Sequence, residues 1–242
     1  MDDLEPAGPV LRSARTLAAL LARYHRGELE GVERLPRGAA LLVGNHGLFG
    51  LETPVFFWLV ERATGRLPRG LADRRIFGHP LVRPLLERTG SRTATPSSAL
   101  ELLADGHLVV CYPGGAKEVF KAPDDRYRLR WEKNTAFARI AIQARVPVVP
   151  FAALGVDDAW INLGHVAAMK RLLGRYAIPL AVGLGPLPFP VRFRFVFGHP
   201  LPPPREPSRA ATLKAAVERA VIQLLDSRGQ HAIPAEPATV VP

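Results

Sequence analysis

The stretch Ala39-Ala40-Leu41-Leu42-Val43-Gly44-Asn45-His46-Gly47-Leu48-Phe49-Gly50-Leu51-Glu52 decides the fold. Its first five residues are an unbroken apolar run, too short for a helix and ended by Gly44-Asn45, which reads as a buried strand followed by a turn. From Glu52 to Ala63 the spacing turns helical, and Gly65 and Pro68 close the helix. A histidine immediately after a buried strand stands at the end of a sheet, where α/β proteins build their clefts. Glu52 follows His46 by six residues. On a regular helix that spacing turns two side chains apart. Gly47 and Gly50 permit an irregular turn that returns the carboxylate to the imidazole. A carboxylate accepting from one ring nitrogen fixes the tautomer and makes the other nitrogen the better base. Taken alone, a His–Glu pair is also what a structural or solvated contact looks like.

The same grammar recurs along the chain. Leu108-Val109-Val110-Cys111-Tyr112 is a second apolar strand, and it runs into Pro113-Gly114-Gly115-Ala116-Lys117-Glu118. Paired glycines there let backbone N–H groups approach an anion or oxyanion, and Lys117 adds positive charge; a plain strand-to-helix turn has the same composition. Further strands are expected at Val146–Leu154, 180–183 and 191–197. Helices are expected over 80–88, from Ser97 or Ser98 as cap through Leu103, over 131–144, and from a Ser208 cap to Ser227. Strands alternating with helices give an α/β class: one domain with a mixed, largely parallel central sheet flanked by helices. The reading divides the chain into an N-terminal amphipathic helix (1–30), the domain (31–228) and a disordered tail rich in Pro and Ala (229–242).

Composition narrows the chemistry. The chain has 242 residues, 48% of them hydrophobic, and one cysteine. Cys111 lies inside an apolar strand and reads as a small core residue; a disulfide framework is excluded. The net charge of +10 comes from 32 Lys+Arg against 22 Asp+Glu, and only Lys117, Lys121, Lys133, Lys170 and Lys214 are lysines. Such a surface attracts phosphate, though an Arg-, Ala- and Pro-rich composition also follows from base bias. No recognition motif or aromatic-basic interleaving accompanies the charge, so a nucleic-acid partner is not expected. A serine esterase would need Gly-x-Ser-x-Gly, which is missing. Asp157-Asp158 has no convincing partner for a metal site, and His79, His107, His165 and His199 read as structural or surface residues.

Val10, Leu11, Ala14, Leu17, Ala18, Leu21 and Tyr24 fall on one helical side, with Arg12, Arg15, Arg23 and Arg26 largely off it. This basic amphipathic helix either lies in a bilayer interface or packs on its own domain. The acidic start, Met1 to Pro6, differs from a signal peptide, and no apolar run approaches ~18 residues. The expected location is cytoplasmic, peripheral on the cytoplasmic face of a membrane.

Taken together, Asn45-His46, Tyr112-Pro113-Gly114-Gly115-Ala116-Lys117-Glu118 and Val146-Pro147-Val148-Val149-Pro150-Phe151 resemble, in order and spacing, the signatures of the glycerolipid acyltransferase superfamily. The resemblance covers roughly residues 35 to 200. Glu52 stands one residue beyond the family's usual aspartate, and Gly114, Lys117 and Glu118 replace Glu, Arg and Ser of the third signature. This version looks more like the branch of diacylglycerol acyltransferases and phytyl ester synthases. The resemblance implies a fatty acyl transfer to a lipid hydroxyl, with acyl-coenzyme A or acyl carrier protein as donor substrate and no cofactor. It implies His46 as base, Glu52 as its orienting carboxylate, and Asn45, Gly114, Gly115, Lys117 and Glu118 in substrate binding. Replacing Arg by Lys removes bidentate phosphate recognition, so the expected acceptor is a neutral one such as diacylglycerol or a long-chain alcohol, with a lysophospholipid as the alternative. Arg74 or Arg75, in the loose second signature, would meet a coenzyme A phosphate or be solvated. A non-catalytic lipid carrier would keep the cleft and tolerate loss of His46.

Overall fold

The computed structural model describes residues 8–78, 80 and 83–227 of the chain. In chain order its strands are β1 (Glu28–Glu30), β2 (Ala40–Gly44), β3 (Arg69–Ala72), β4 (Arg92–Thr93), β5 (Leu108–Cys111), β6 (Val148–Leu154), β7 (Ile161–Gly164), β8 (Leu180–Val182) and β9 (Arg194–Phe197). Its helices are α1 (Pro9–Tyr24), α2 (Glu52–Thr64), α3 (Arg74–Phe77), α4 (Arg83–Arg88), α5 (Pro96–Ala104), α6 (Ala116–Val119), α7 (Ala136–Ala144), α8 (Ala167–Leu173) and α9 (Ala210–Asp226).

Seven strands form one sheet in the order β1-β9-β6-β2-β5-β3-β4, and β7 pairs with β8 in a separate antiparallel ribbon. Every neighbouring pair in the large sheet is parallel except β6 with β9. The central strand β2 is flanked by β5 and β6 and is buried along its whole length. Its alternate residues serve two cores, as the period of two in a pleated strand requires. Leu41 and Val43 face α5, α7 and α9, where Leu102, Phe137, Val217 and Val221 pack. Ala40 and Leu42 face the other layer, where α2 contributes Val55, Phe56 and Val60.

The mixed, largely parallel α/β sheet with helices on both faces is the class expected from the sequence. Several boundaries move. Thr95, not Ser97 or Ser98, caps α5, with Pro96 at its first turn and the Thr95 hydroxyl accepting from Ser98 N–H. Helix α7 starts at Ala136 because Asn134 turns the chain, its side-chain oxygen accepting from Ala136 N–H. A short 3-10 turn, Pro207–Arg209, precedes α9, so Ser208 caps nothing. The last strand begins at Arg194, since Phe193 N–H is already donated to His25 O. The short strands β1, β3, β4 and β7 and helices α3, α6 and α8 were not anticipated.

Helix α1 is docked on α2. Ala18 and Ala22 are buried and Arg15 forms an ion pair with Glu61. Just beyond it, His25 is fully buried, stacked on Phe193 at 3.8 Å, with Nδ1–H donated to Val191 O at 2.9 Å. Burial holds the His25 ring below the usual histidine pKa. The packed reading of this helix is therefore the observed one. Leu17 and Leu20, on its other side, are exposed. His79 and the 229–242 tail lie outside the described residues.

Candidate active site

The site grows from the carboxyl ends of β2 and β5, the two central parallel strands. The β2–β6 ladder ends with Gly44 opposite Phe151. Asn45 then continues it with its side chain, donating from Nδ2 to Ala153 O at 3.0 Å and accepting Ala153 N–H on Oδ1 at 2.7 Å. Asn45 is 2% exposed and its amide is used at both ends. It therefore anchors the turn to β6 and presents no free group to a substrate, contrary to the expectation from the sequence.

The turn after Asn45 brings His46 and Glu52 together. His46 Nδ1 lies 2.5 Å from Glu52 Oε1, and Gly47 N–H donates to that same oxygen at 3.0 Å. The irregular backbone that permits this runs through Phe49 at φ +63° and Gly50 at φ +69°. A Cβ on Gly50 would come within 2.9 Å of the imidazole Cε1. Gly47 has ordinary extended dihedrals, and its lack of a side chain matters for space: a Cβ there would meet Glu52 Oε2 at 2.9 Å and Val156 at 2.8 Å.

Glu52 is 1% exposed. Burial alone would raise its pKa. The nearby His46, and hydrogen bonds from the imidazole, Gly47 N–H and its own N–H, outweigh that and hold the carboxyl below the usual range. Its folded pKa lies under its unfolded value, so the associated stability is present above the ordinary carboxylate pKa of ~4.3 and is lost as pH falls through the lower folded value. Glu52→Gln is thus expected to melt earlier than wild type at neutral pH, with the gap narrowing as the pH drops below the carboxylate range. Melting curves across pH measure this; a gap that stays constant would rule it out.

The His46 backbone is held at both ends by side chains of one short segment. Glu118 Oε2 accepts His46 N–H at 2.9 Å, and Lys121 Nζ donates to His46 O at 2.8 Å. The other Glu118 oxygen accepts Arg130 N–H at 2.9 Å. Lys121 also reaches both oxygens of Asp157, at 2.9 and 2.8 Å, and Asp157 accepts Tyr127 N–H at 2.7 Å. Glu118, Lys121 and Asp157 are all buried. Burial pushes the Glu118 carboxyl up, with Lys121 and the two backbone donors pulling against it. Tyr112 completes the setting, stacked on the His46 ring at 3.9 Å and 16°.

Glu118 therefore does not face a substrate. Its carboxylate lies under Gly114, where an added Cβ would sit 2.3 Å from Glu118 Cδ, and it braces the His46 turn against Arg130. Lys117 points the other way, part-exposed, and pairs with Glu132 at 2.6 Å. Gly114, Gly115 and Lys117 line an open cleft of about 410 Å³ with Asp73, Arg130 and Glu132. His46 is not in its lining; Glu118 stands between the imidazole turn and the cleft-wall residue Arg130. Gly115, at φ +49° and ψ −130°, adopts a conformation reserved for glycine. Its N–H is donated to Tyr112 O at 3.0 Å and is not free for an oxyanion. Arg75 lies over the Tyr176 ring at 4.3 Å, and the Tyr176 hydroxyl donates to Asp73. Cys111 is core-like as expected, its thiol pushed up to about 12 by burial and by Glu118.

Lys121 and Tyr112 carried no signal of their own in the sequence. Lys121 lies just beyond the quoted motif, and its partner Asp157 is 36 residues away. The Asp157-Asp158 pair is likewise accounted for without a metal, Asp158 pairing with Arg126 and accepting the Tyr127 hydroxyl at 2.9 Å.

A family model described as Acyltransferase matches residues 26–153, which is about half of the chain. A Mus musculus protein named DGAT1/2-independent enzyme synthesizing storage lipids is 30% identical over 210 residues, spanning 87% of this chain and 62% of the mouse protein. An uncharacterized Mycobacterium tuberculosis protein is 32% identical over 188 residues, 74% of this chain and 52% of its own. The chain thus spans less than two thirds of the length of these relatives. Among solved structures, the 1-acyl-sn-glycerophosphate (LPA) acyltransferase PlsC of Thermotoga maritima superposes with a TM-score of 0.52 at 17% identity, covering 88% of this chain and 81% of that one. At that identity the likeness is one of fold.

Proposed function

Because this chain belongs to the acyltransferase family, we propose that it moves a fatty acyl group from a thioester donor to a hydroxyl of a glycerolipid, with His46 as general base. The observation that carries this reading is the Nδ1–Glu52 contact at 2.5 Å on a turn at the carboxyl end of the central strand. With Nδ1–H donated to Glu52, Nε2 holds the lone pair. Nε2 takes the proton of the acceptor hydroxyl as its oxygen attacks the thioester carbonyl. The tetrahedral intermediate expels the thiolate, which recovers the proton from the imidazolium. Both acyl-coenzyme A and acyl carrier protein supply such a thioester. A screen crossing both donors with neutral and phosphorylated acceptors tests the reading; no transfer from any pair by the folded chain would refute it.

The acceptor we favour is uncharged, diacylglycerol or a long-chain alcohol. The support is local to Lys117, whose ammonium is already paired with Glu132 and lacks the fork that grips two phosphate oxygens. The carboxylate that neutralises Lys117 is Glu132. The storage-lipid wording of the mouse relative's name agrees with such an acceptor. Lys117→Ala is then expected to change kcat/KM for the neutral acceptor by less than about threefold, as for a surface pair of small net value. Strict use of lysophosphatidic acid, with KM raised sharply in Lys117→Ala, would sink the neutral-acceptor reading and leave the His46 chemistry standing.

A further inference from the structure

The ribbon β7–β8 and helix α8 form an excursion that inverts the usual alternation of a surface strand. Ile161 and Leu163 on β7, and Leu180 and Val182 on β8, all point outward and are exposed, with Ile161 directly opposite Val182. Helix α8, between the two strands, adds Leu172 at 80% exposure and Leu173. Soluble surfaces rarely gather apolar side chains so densely without a partner. The polar residue of β7 faces inward instead: Asn162 Nδ2 donates to Lys121 O at 2.9 Å. His165, just after β7, contacts Phe120 O through Nε2 at 3.0 Å. The excursion is thus pinned to the segment whose Lys121 holds the His46 carbonyl.

Charge selects the partner. From Ala159 to Arg205 the sequence contains no aspartate or glutamate, and Lys170 and Arg171 on α8 are exposed beside the apolar residues. The adjoining turn Pro123–Asp125 carries two carboxylates, of which Asp125 is paired with Arg130. Apolar side chains flanked by cations match an anionic bilayer, whose acyl boundary takes the leucines and whose headgroups take the ammonium and guanidinium groups. We propose that the β7–α8–β8 excursion, rather than α1, is the face by which this chain docks on an anionic lipid surface. It brings the segment that holds His46 next to the bilayer from which a lipid acceptor would come. That last consequence rests on the functional reading above; the docking itself does not.

The test is flotation of the full chain with phosphatidylcholine vesicles, with and without phosphatidylglycerol, read without turnover. Wild type is expected to float with the mixed vesicles and to be partly released by salt. Leu163→Glu/Leu180→Glu should weaken partitioning at least about tenfold, because it places two charges in the acyl boundary, while leaving the melting temperature and elution volume unchanged. Leu17→Glu/Leu20→Glu on α1 should bind as wild type. Where the double glutamate lowers the melting temperature, Leu163→Ser/Leu180→Ser, with no added charge, is read in its place. Retained binding in the ribbon variants, or loss only in the α1 variant, overturns the proposal. So does a wild-type dimer that the ribbon variants convert to monomer without vesicle binding, since the occupant is then a second copy. Vesicle binding without acyl transfer would count against the functional reading alone.

Discussion

His46→Ala is expected to lower acyl transfer by about 10²–10⁴-fold, the usual contribution of a positioned general base, and to lower the melting temperature as well, because the buried Glu52 carboxylate loses its imidazole partner. The ring is not a core element: it is part-exposed, packs on Tyr112, and makes one side-chain hydrogen bond, to Glu52. The contacts that fix the turn are made by the backbone of residue 46 and survive the substitution. Glu52→Gln should reduce turnover less, by about tenfold, since an amide oxygen still accepts Nδ1–H and only the charge that supports the imidazolium is lost. Donor-coupled transfer assays on folded variants give both numbers. Near-wild-type turnover in His46→Ala would remove the base assignment and favour a lipid carrier that keeps the cleft without the chemistry.

The sequence exposed the parts of this arrangement that are local. A buried central strand announces itself by an unbroken apolar run, and 39–43 is observed as β2 at 40–44. The return of Glu52 to His46 was legible because glycines flank the turn. What decides the roles of the remaining residues is long-range. Asn45 is polar, follows a strand and precedes a histidine, and nothing near it in sequence says that its amide is consumed by Ala153, 108 residues on. Glu118 lies one residue from Lys117, yet the short helix α6 directs one inward and the other outward. Of the ribbon, β8 reads as a strand at 180–183, whereas β7 escaped notice, its four residues being too short to carry a period of two. The strands β1, β3 and β4, two to four residues each, are too short to carry a period.

Lys121→Met is expected to damage both stability and turnover, and the two losses should separate. Lys121 and Asp157 form a buried ion pair, with side-chain exposures of 3% and 2%. Removing one partner of such a pair leaves the other charge desolvated and typically costs about 3–5 kcal/mol. It also strips His46 O of its donor. A misplacement of the imidazole turn by about 1 Å is enough to cost on the order of 10²-fold in rate. The double variant Lys121→Met/Asp157→Asn removes the stranded charge, and the asparagine oxygen can still accept Tyr127 N–H. It should regain most of the stability measured by denaturant unfolding. It should not regain turnover, because nothing yet holds the His46 carbonyl. If kcat returns together with stability, Lys121 serves the fold alone. If stability returns and kcat stays low with KM little changed, Lys121 positions the base through its backbone, and the short segment from Glu118 to Lys121 holds His46 by both its N–H and its carbonyl.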